Sequence, residues 1–173
     1  MSIREEIKHR MDEGRLFLLS PAISLVVRPM FVSQEIKDLV LGPWNDPEWA
    51  IRCGLLRADL DRFITGARIP VAARPYQARS AYIAQLDQPR DEAWEIRSRD
   101  PEPSIRVFGR FAMTNWFVAL TWSKRADLEG PDSREWRDAI ETCKAEWRKL
   151  FPTYDPKTGD NVHDYISAKY FLV

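Results

Sequence analysis

Apolar and polar side chains alternate with a period of two in two neighbouring segments, 94–99 and 105–111. Successive side chains of a strand point to opposite faces of a sheet, so this period predicts two β-strands. A third segment, 116–123, is apolar on both faces, which predicts a central strand covered by helices on one side at least. Two prolines in the connector 100–104 predict a loop, whereas the short connector before 116 predicts a hairpin.

A spacing of three and four residues follows the strands and predicts a helix over 133–151. Ser133 suits its N-terminal cap, because the hydroxyl oxygen can accept a hydrogen bond from a free backbone N–H. At about 25 cal/mol per Å² of buried apolar surface, a continuous stripe stabilises a docked helix considerably. We therefore expect the helix to pack on the sheet and to end at Pro152. Its apolar stripe comprises Trp136, Ile140, Cys143, Trp147 and Leu150.

The first 90 residues carry shorter patterns. Segment 2–13 has apolar side chains at every fourth position and predicts a helix. Segment 15–32 is apolar but contains prolines, which predicts one or two strands near a sheet edge. Segment 67–87 is ambiguous, and its second half favours a short helix. Further helices are expected at 33–40 and 48–66.

These elements together predict one α+β domain that covers the whole chain, 1–173. With 173 residues, 45% of them hydrophobic, the chain can bury a substantial core. We expect an antiparallel sheet of three or more strands packed against helices, preceded by an α/β extension. The expected parts are an N-terminal extension at 1–90, a core of three strands and a helix at 94–151, and a C-terminal tail at 152–173.

Composition narrows the chemistry. The 26 Lys and Arg residues equal the 26 Asp and Glu residues, so no strong net charge favours a polyanionic partner. Cys53 and Cys143 lie far apart and suit reduced thiols of a cytoplasmic protein. With two histidines and no metal-ligand spacing, neither a metal nor a cofactor is expected. Long apolar runs are interrupted by arginine or proline, so we expect no membrane association.

Arginine dominates the polar positions of the predicted strands. From Arg97 to Arg125 there are six basic residues and two acidic ones, Asp100 and Glu102. If they share an open face, the guanidinium groups can bind phosphodiester oxygens in pairs and stay charged. If carboxylates of the helices pair with them, the same pattern is a solvated sheet face. The six are Arg97, Arg99, Arg106, Arg110, Lys124 and Arg125.

Three strands ending in Lys124–Arg125 and followed by a helix resemble the RelE/HigB-like toxins of the RelE/ParE superfamily, over 94–151. The resemblance implies a ribosome-dependent mRNA endoribonuclease without a cofactor. By position, Arg106 and Arg125 resemble catalytic arginines that stabilise charge on the phosphate as the ribose 2′-hydroxyl attacks. The substrate-binding positions that the resemblance implies are Arg97, Arg99, Arg110 and Lys124. The implied partners are RNA or the ribosome and a small antitoxin protein. Apart from the resemblance, a homo-oligomer is also expected.

The sequence leaves two further questions open. The same scaffold could serve a non-catalytic interaction or regulatory module, with residues 1–90 as a docking extension. A second basic stretch, 67–82, combines arginines with tyrosines, which can stack on bases or form a loop over the core. Its residues of interest are Arg68, Arg74, Tyr76, Arg79 and Tyr82.

Overall fold

The computed structural model describes residues 1–21, 24–73 and 79–173, and their strands join in one eight-stranded mixed sheet. The strands are β1 (Phe17–Leu18), β2 (Met30–Val32), β3 (Ile69–Ala72), β4 (Ile83–Gln85), β5 (Trp94–Ser98), β6 (Ile105–Met113), β7 (Trp116–Lys124) and β8 (Tyr170–Leu172). The α-helices are α1 (Ile3–Asp12), α2 (Gln34–Leu41), α3 (Pro47–Ile64) and α4 (Arg134–Leu150). Short 3-10 turns lie at Pro89–Asp91, Arg125–Leu128 and Val162–Asp164.

The order of strands across the sheet is β1-β2-β7-β6-β5-β4-β3-β8. Strands β4 to β7 form an antiparallel centre, and β1 pairs antiparallel with β2. The pairs β2–β7, β3–β4 and β3–β8 are parallel. The predicted α+β class is therefore confirmed, but the antiparallel arrangement holds only in part. Parallel pairs need crossover connections, and the chain passes through helices between β2 and β7.

The three central strands and the following helix occur where the sequence predicts them. Strands β5, β6 and β7 are consecutive antiparallel neighbours. Ser133 caps α4 by accepting a hydrogen bond from the backbone N–H of Trp136 at 3.2 Å. The predicted stripe of α4, from Trp136 to Leu150, is buried. Periodicity and capping thus located the most strongly patterned part of the chain.

The N-terminal 90 residues contribute more strands than the pattern predicts. Four strands, β1 to β4, lie there rather than one or two. The short helix expected late in 67–87 is wrong, because Ile83–Gln85 is strand β4 and pairs with β5. Residues with no clear period become strands when neighbouring strands satisfy their backbone groups. The C-terminal tail also joins the sheet, since β8 pairs with β3.

The two faces of the sheet carry separate apolar clusters. Helices α2 and α3 pack on the face that presents Val107, Phe111 and Phe117, called here the α3 face. Helices α1 and α4 pack on the face that presents Phe108 and Val118, called here the α4 face. The central strands are therefore enclosed between two layers of helices. None of the helices in the described ranges is both long and apolar enough to cross a membrane.

Gly109 provides a test of how tightly the centre is packed. The register between β6 and β7 shifts at Phe108 and Gly109, so the glycine lies at a β-bulge. A Cβ atom at Gly109 would lie 2.3 Å from the carbonyl oxygen of Val118 and 2.5 Å from the ring of Phe117. We expect Gly109→Ala to lower the free energy of unfolding by about 1–3 kcal/mol, because backbone and a buried ring must shift. Urea unfolding followed by circular dichroism measures it.

Gly54→Ala is the matched control for this substitution. Gly54 lies exposed in α3, and a Cβ atom there meets nothing within 4 Å. Alanine at this helical position should raise the free energy of unfolding by about 0.5–1 kcal/mol. If Gly109→Ala were as stable as the wild type, the close contacts at the bulge would not contribute to the free energy of unfolding.

Candidate functional site

Strand register places two of the predicted arginines opposite each other, and strand alternation places them on the α4 face together with a third. Arg97 of β5 is the cross-strand partner of Arg106 of β6. On β6, Arg106 and Arg110 alternate with Val107 and Phe111, which face the other way. The side chains of Arg97, Arg106 and Arg110 thus share the α4 face, as a period of two requires.

Glu95 lies between Arg97 and Arg106. Arg97 Nε donates to Glu95 Oε1 at 2.7 Å, and Arg106 Nε lies 3.3 Å from Glu95 Oε2. The carboxylate is only 3% exposed. Arg106 also donates to the hydroxyl of Ser104 at 2.8 Å. The carboxylate offsets one positive charge, and its hydrogen bond holds Arg97, whereas its contact with Arg106 is an ion pair without hydrogen-bond geometry.

Arg99 and Arg125 complete a group of four that we call the arginine cluster: Arg97, Arg99, Arg106 and Arg125. Arg99 donates to the carbonyl oxygen of Ala81 at 2.8 Å, and Arg125 donates to that of Glu129 at 2.7 Å. Neither side chain is fully buried. These two residues and Arg97, which is also partly exposed, therefore form the accessible side of the cluster.

The electrostatics of Arg106 show that the four groups are close enough to interact. Burial lowers the pKa of Arg106 to about 10, and the Glu95 carboxylate opposes this decrease. The positive charges of Arg97, Arg125 and Arg99 lower the pKa further. Arg106 therefore stays protonated near neutral pH, in a site where an anion would relieve repulsion among like charges.

Two predicted substrate-binding residues lie apart from the cluster. Arg110 is 7% exposed, lies over the ring of Trp147 at 5.5 Å and donates to the carbonyl oxygen of Asp91. Lys124 points to the α3 face, where its Nζ lies 5.5 Å from the ring centroid of Trp49. Of the two alternatives that the sequence left open, an open, unpaired face does not describe Arg106 and Arg110, because Glu95 lies beside Arg106 and Trp147 of α4 covers Arg110. The catalytic and binding roles of the six residues stay predictions.

Glu95 is the residue of this site that the charge pattern missed. A count that begins at Arg97 omits it, although it lies two positions earlier. The period of two places residues 95 and 97 on the same face, so alternation was the signal that could have found it.

The second basic stretch lies only partly within the described residues. Arg74 and Tyr76 fall outside them. Arg68 lies over the ring of Phe171 at 5.0 Å, and Tyr82 is 4% exposed with its hydroxyl donating to a backbone carbonyl of α3. Arg79 is exposed. Tyr82 is thus a core residue and has no free ring face for stacking on a base.

A buried carboxyl group occupies a second polar site, on the other face of the sheet. Glu92 is 6% exposed, has a backbone φ of +50° and accepts a hydrogen bond from the Tyr165 hydroxyl at 2.5 Å. It lines a cleft of about 410 Å³ together with Gln85 and Asp160. Burial raises the pKa of Glu92 above its ordinary value, and the bond from Tyr165 acts in the opposite direction. The carboxyl group links the β4–β5 connection to the C-terminal tail.

The raised pKa of Glu92 has a consequence for stability. The folded state holds its proton more tightly than the unfolded chain, so this group makes the protein less stable as pH rises above the ordinary glutamate value of 4.5. Glu92→Gln removes the titration. We expect the variant to gain stability relative to the wild type as pH rises above 4.5, until the raised pKa of the folded state is passed, measured as urea midpoints at successive pH values. A constant difference between the two proteins would contradict this expectation.

Glu129→Gln is the matched control, because Glu129 is exposed. A change of the same size in both variants would mean that the loss of one carboxylate, and not the buried position of Glu92, determines the effect.

Comparison with known proteins identifies no relative of this chain. No protein-family model, no curated protein and no solved structure matches this chain. The functional conclusion therefore depends on the geometry of the chain itself.

Proposed function

We propose that this chain is a RelE/HigB-like, toxin-type protein that binds single-stranded RNA through the arginine cluster. One observation carries the proposal: Arg97 and Arg106 lie opposite each other with Glu95 between them, and Arg99 and Arg125 add to the positive charge around Arg106. Excess positive charge held in a fixed arrangement favours a phosphodiester backbone over isolated small anions.

The accessible members of the cluster suit contact with phosphate. Arg99 and Arg125 are partly exposed, and each is anchored by one hydrogen bond to a backbone carbonyl. An anchored guanidinium group loses less conformational entropy on binding than a free side chain. These two residues would bind the backbone first, with Arg106 behind them.

Arg106 is suited to stabilise charge rather than to capture substrate. Its position between Glu95 and Ser104 is fixed before any ligand arrives. When a ribose 2′-oxygen bonds to the adjacent phosphorus and the bond to the 5′-oxygen breaks, negative charge builds up on the phosphate oxygens. A fixed guanidinium group stabilises that charge without reorganisation. The 2′ proton leaves to solvent, and the departing 5′-oxygen takes a proton from solvent.

We also propose a cellular location and partners for the protein. A protein that cleaves mRNA on the ribosome works in the cytoplasm and needs a partner to hold it inactive. We propose a small antitoxin protein for that partner. Self-association would offer a second way to cover the cluster.

A non-catalytic interaction or regulatory module is the second candidate. It is favoured by the same Glu95, because Arg97 and Arg106 already have a carboxylate partner in the free protein. In that case the cluster joins β5 to β6 and has no ligand. Measurements of RNA binding and cleavage distinguish the two candidates.

RNA binding is tested with single alanine variants and a short unstructured oligoribonucleotide. We expect Arg99→Ala and Arg125→Ala to weaken binding about tenfold each, or about 1.4 kcal/mol, since each removes a charged phosphate contact. The slope of log affinity against log salt should fall by about 0.7 per variant, the value for one contact to a single strand. Filter binding at several salt concentrations measures both quantities.

Arg62→Ala is the matched control for this experiment, because Arg62 is exposed on α3, on the other face of the sheet, and its removal changes the net charge by the same amount. It should bind RNA like the wild type. Equal losses in all three variants would mean that net charge, and not the cluster, attracts RNA.

Cleavage is tested by induced expression in bacteria. We expect wild-type protein to arrest growth and translation, and Arg106→Ala with Arg125→Ala to relieve the arrest while the protein still accumulates in folded form. Growth unaffected by the wild type, with RNA bound but intact, would favour the non-catalytic module.

A further inference from the structure

We infer that a cleft beside the arginine cluster receives one unpaired nucleobase of the bound strand. This inference depends on the proposed function and adds to it the recognition of a base. The cleft has a volume of about 520 Å³ and lies between the turn 87–90 and the start of α4. Ligand pockets of proteins commonly have this size.

Trp136 connects the cleft to the cluster. Its side chain lines the cleft, and the guanidinium carbon of Arg125 lies 5.7 Å from its ring centroid. Phe108, two residues along β6 from Arg106, contacts the same ring edge-on at 5.8 Å. A phosphate at Arg125 and a base in the cleft would therefore both lie next to one indole ring.

The walls of the cleft suit a flat ring with a polar edge. Pro89, Pro131 and Ile140 join Trp136 in giving it apolar surface. Such surface can hold the face of a base, because all bases are flat and polarisable.

Polar groups at the cleft can bind the edge of a base. Gln88 has an amide donor and acceptor, Asp132 a carboxylate, and Arg90 and Arg137 have guanidinium donors. A base has both donors and acceptors on its edge, whereas a duplex has already paired them. The cleft therefore favours single-stranded RNA.

The test compares two oligoribonucleotides of equal length and charge, one normal and one with all bases removed. Stacking one base on aromatic surface should make the normal strand bind about 5- to 140-fold more tightly. Fluorescence anisotropy of end-labelled strands measures both affinities. Equal affinities would overturn the base site while leaving phosphate binding by the cluster intact. If neither strand bound, both the base site and the proposed function would be wrong.

A pair of tryptophan substitutions locates the base. Gln88→Trp fills the cleft from an exposed position whose side chain makes no capping bond, so the fold should tolerate it. Asp138→Trp adds the same bulk at an exposed position of α4 outside the lining. We expect Gln88→Trp to reduce the ratio between the normal and the base-free strand to near one, and Asp138→Trp to leave it unchanged. An unchanged ratio in Gln88→Trp would place the base elsewhere and overturn the inference.

Discussion

Both faces of the central strands are covered by helices, and this constraint determines what the polar side chains of the sheet can do. A polar group enclosed between two helical layers is costly unless it finds a hydrogen-bond partner inside the protein. Arg28 shows the structural solution. It is 2% exposed, and its guanidinium group donates to the carbonyl oxygens of Phe63, Ala67, Ala168 and Lys169. Four hydrogen bonds to backbone tie the end of α3 to the C-terminal tail.

The arginine cluster meets the same constraint differently. Glu95 pairs with Arg97 and Arg106, and the charge of Asp100 acts on Arg99, so two carboxylates face four guanidinium groups. Burial lowers the pKa of both Arg106 and Arg28, but at Arg106 the neighbouring guanidinium groups lower it further, whereas Arg28 has backbone oxygens on several sides. An arrangement that keeps excess like charge together is destabilising by itself. A phosphate ligand would remove that cost, which is the physical reason to assign binding to this cluster and not to Arg28.

The sequence predicts the strongly periodic elements. It does not predict the elements whose secondary structure is determined by tertiary contacts. Strands β5 to β7 and helix α4 follow from periodicity, because their apolar stripes face large buried surfaces. Strands β3 and β4 have no such period, and they form by pairing with β8 and β5. For the site, alternation places Arg97, Arg106 and Arg110 on one face. It cannot indicate that α4 covers Arg110 while Arg99 and Arg125 remain accessible.

Trp136 contributes both to the packing of the core and to the proposed site, so a substitution there would change both. It belongs to the apolar stripe that docks α4, it contacts Phe108 in the core, and it lines the cleft beside Arg125. Its loss would open a cavity under α4 and move the cluster at the same time. Informative changes therefore lie at the rim, where Arg99, Arg125 and Gln88 are accessible. The buried arginines belong to a rigid core. The accessible arginines lie at the rim of this core, between a helix and the sheet.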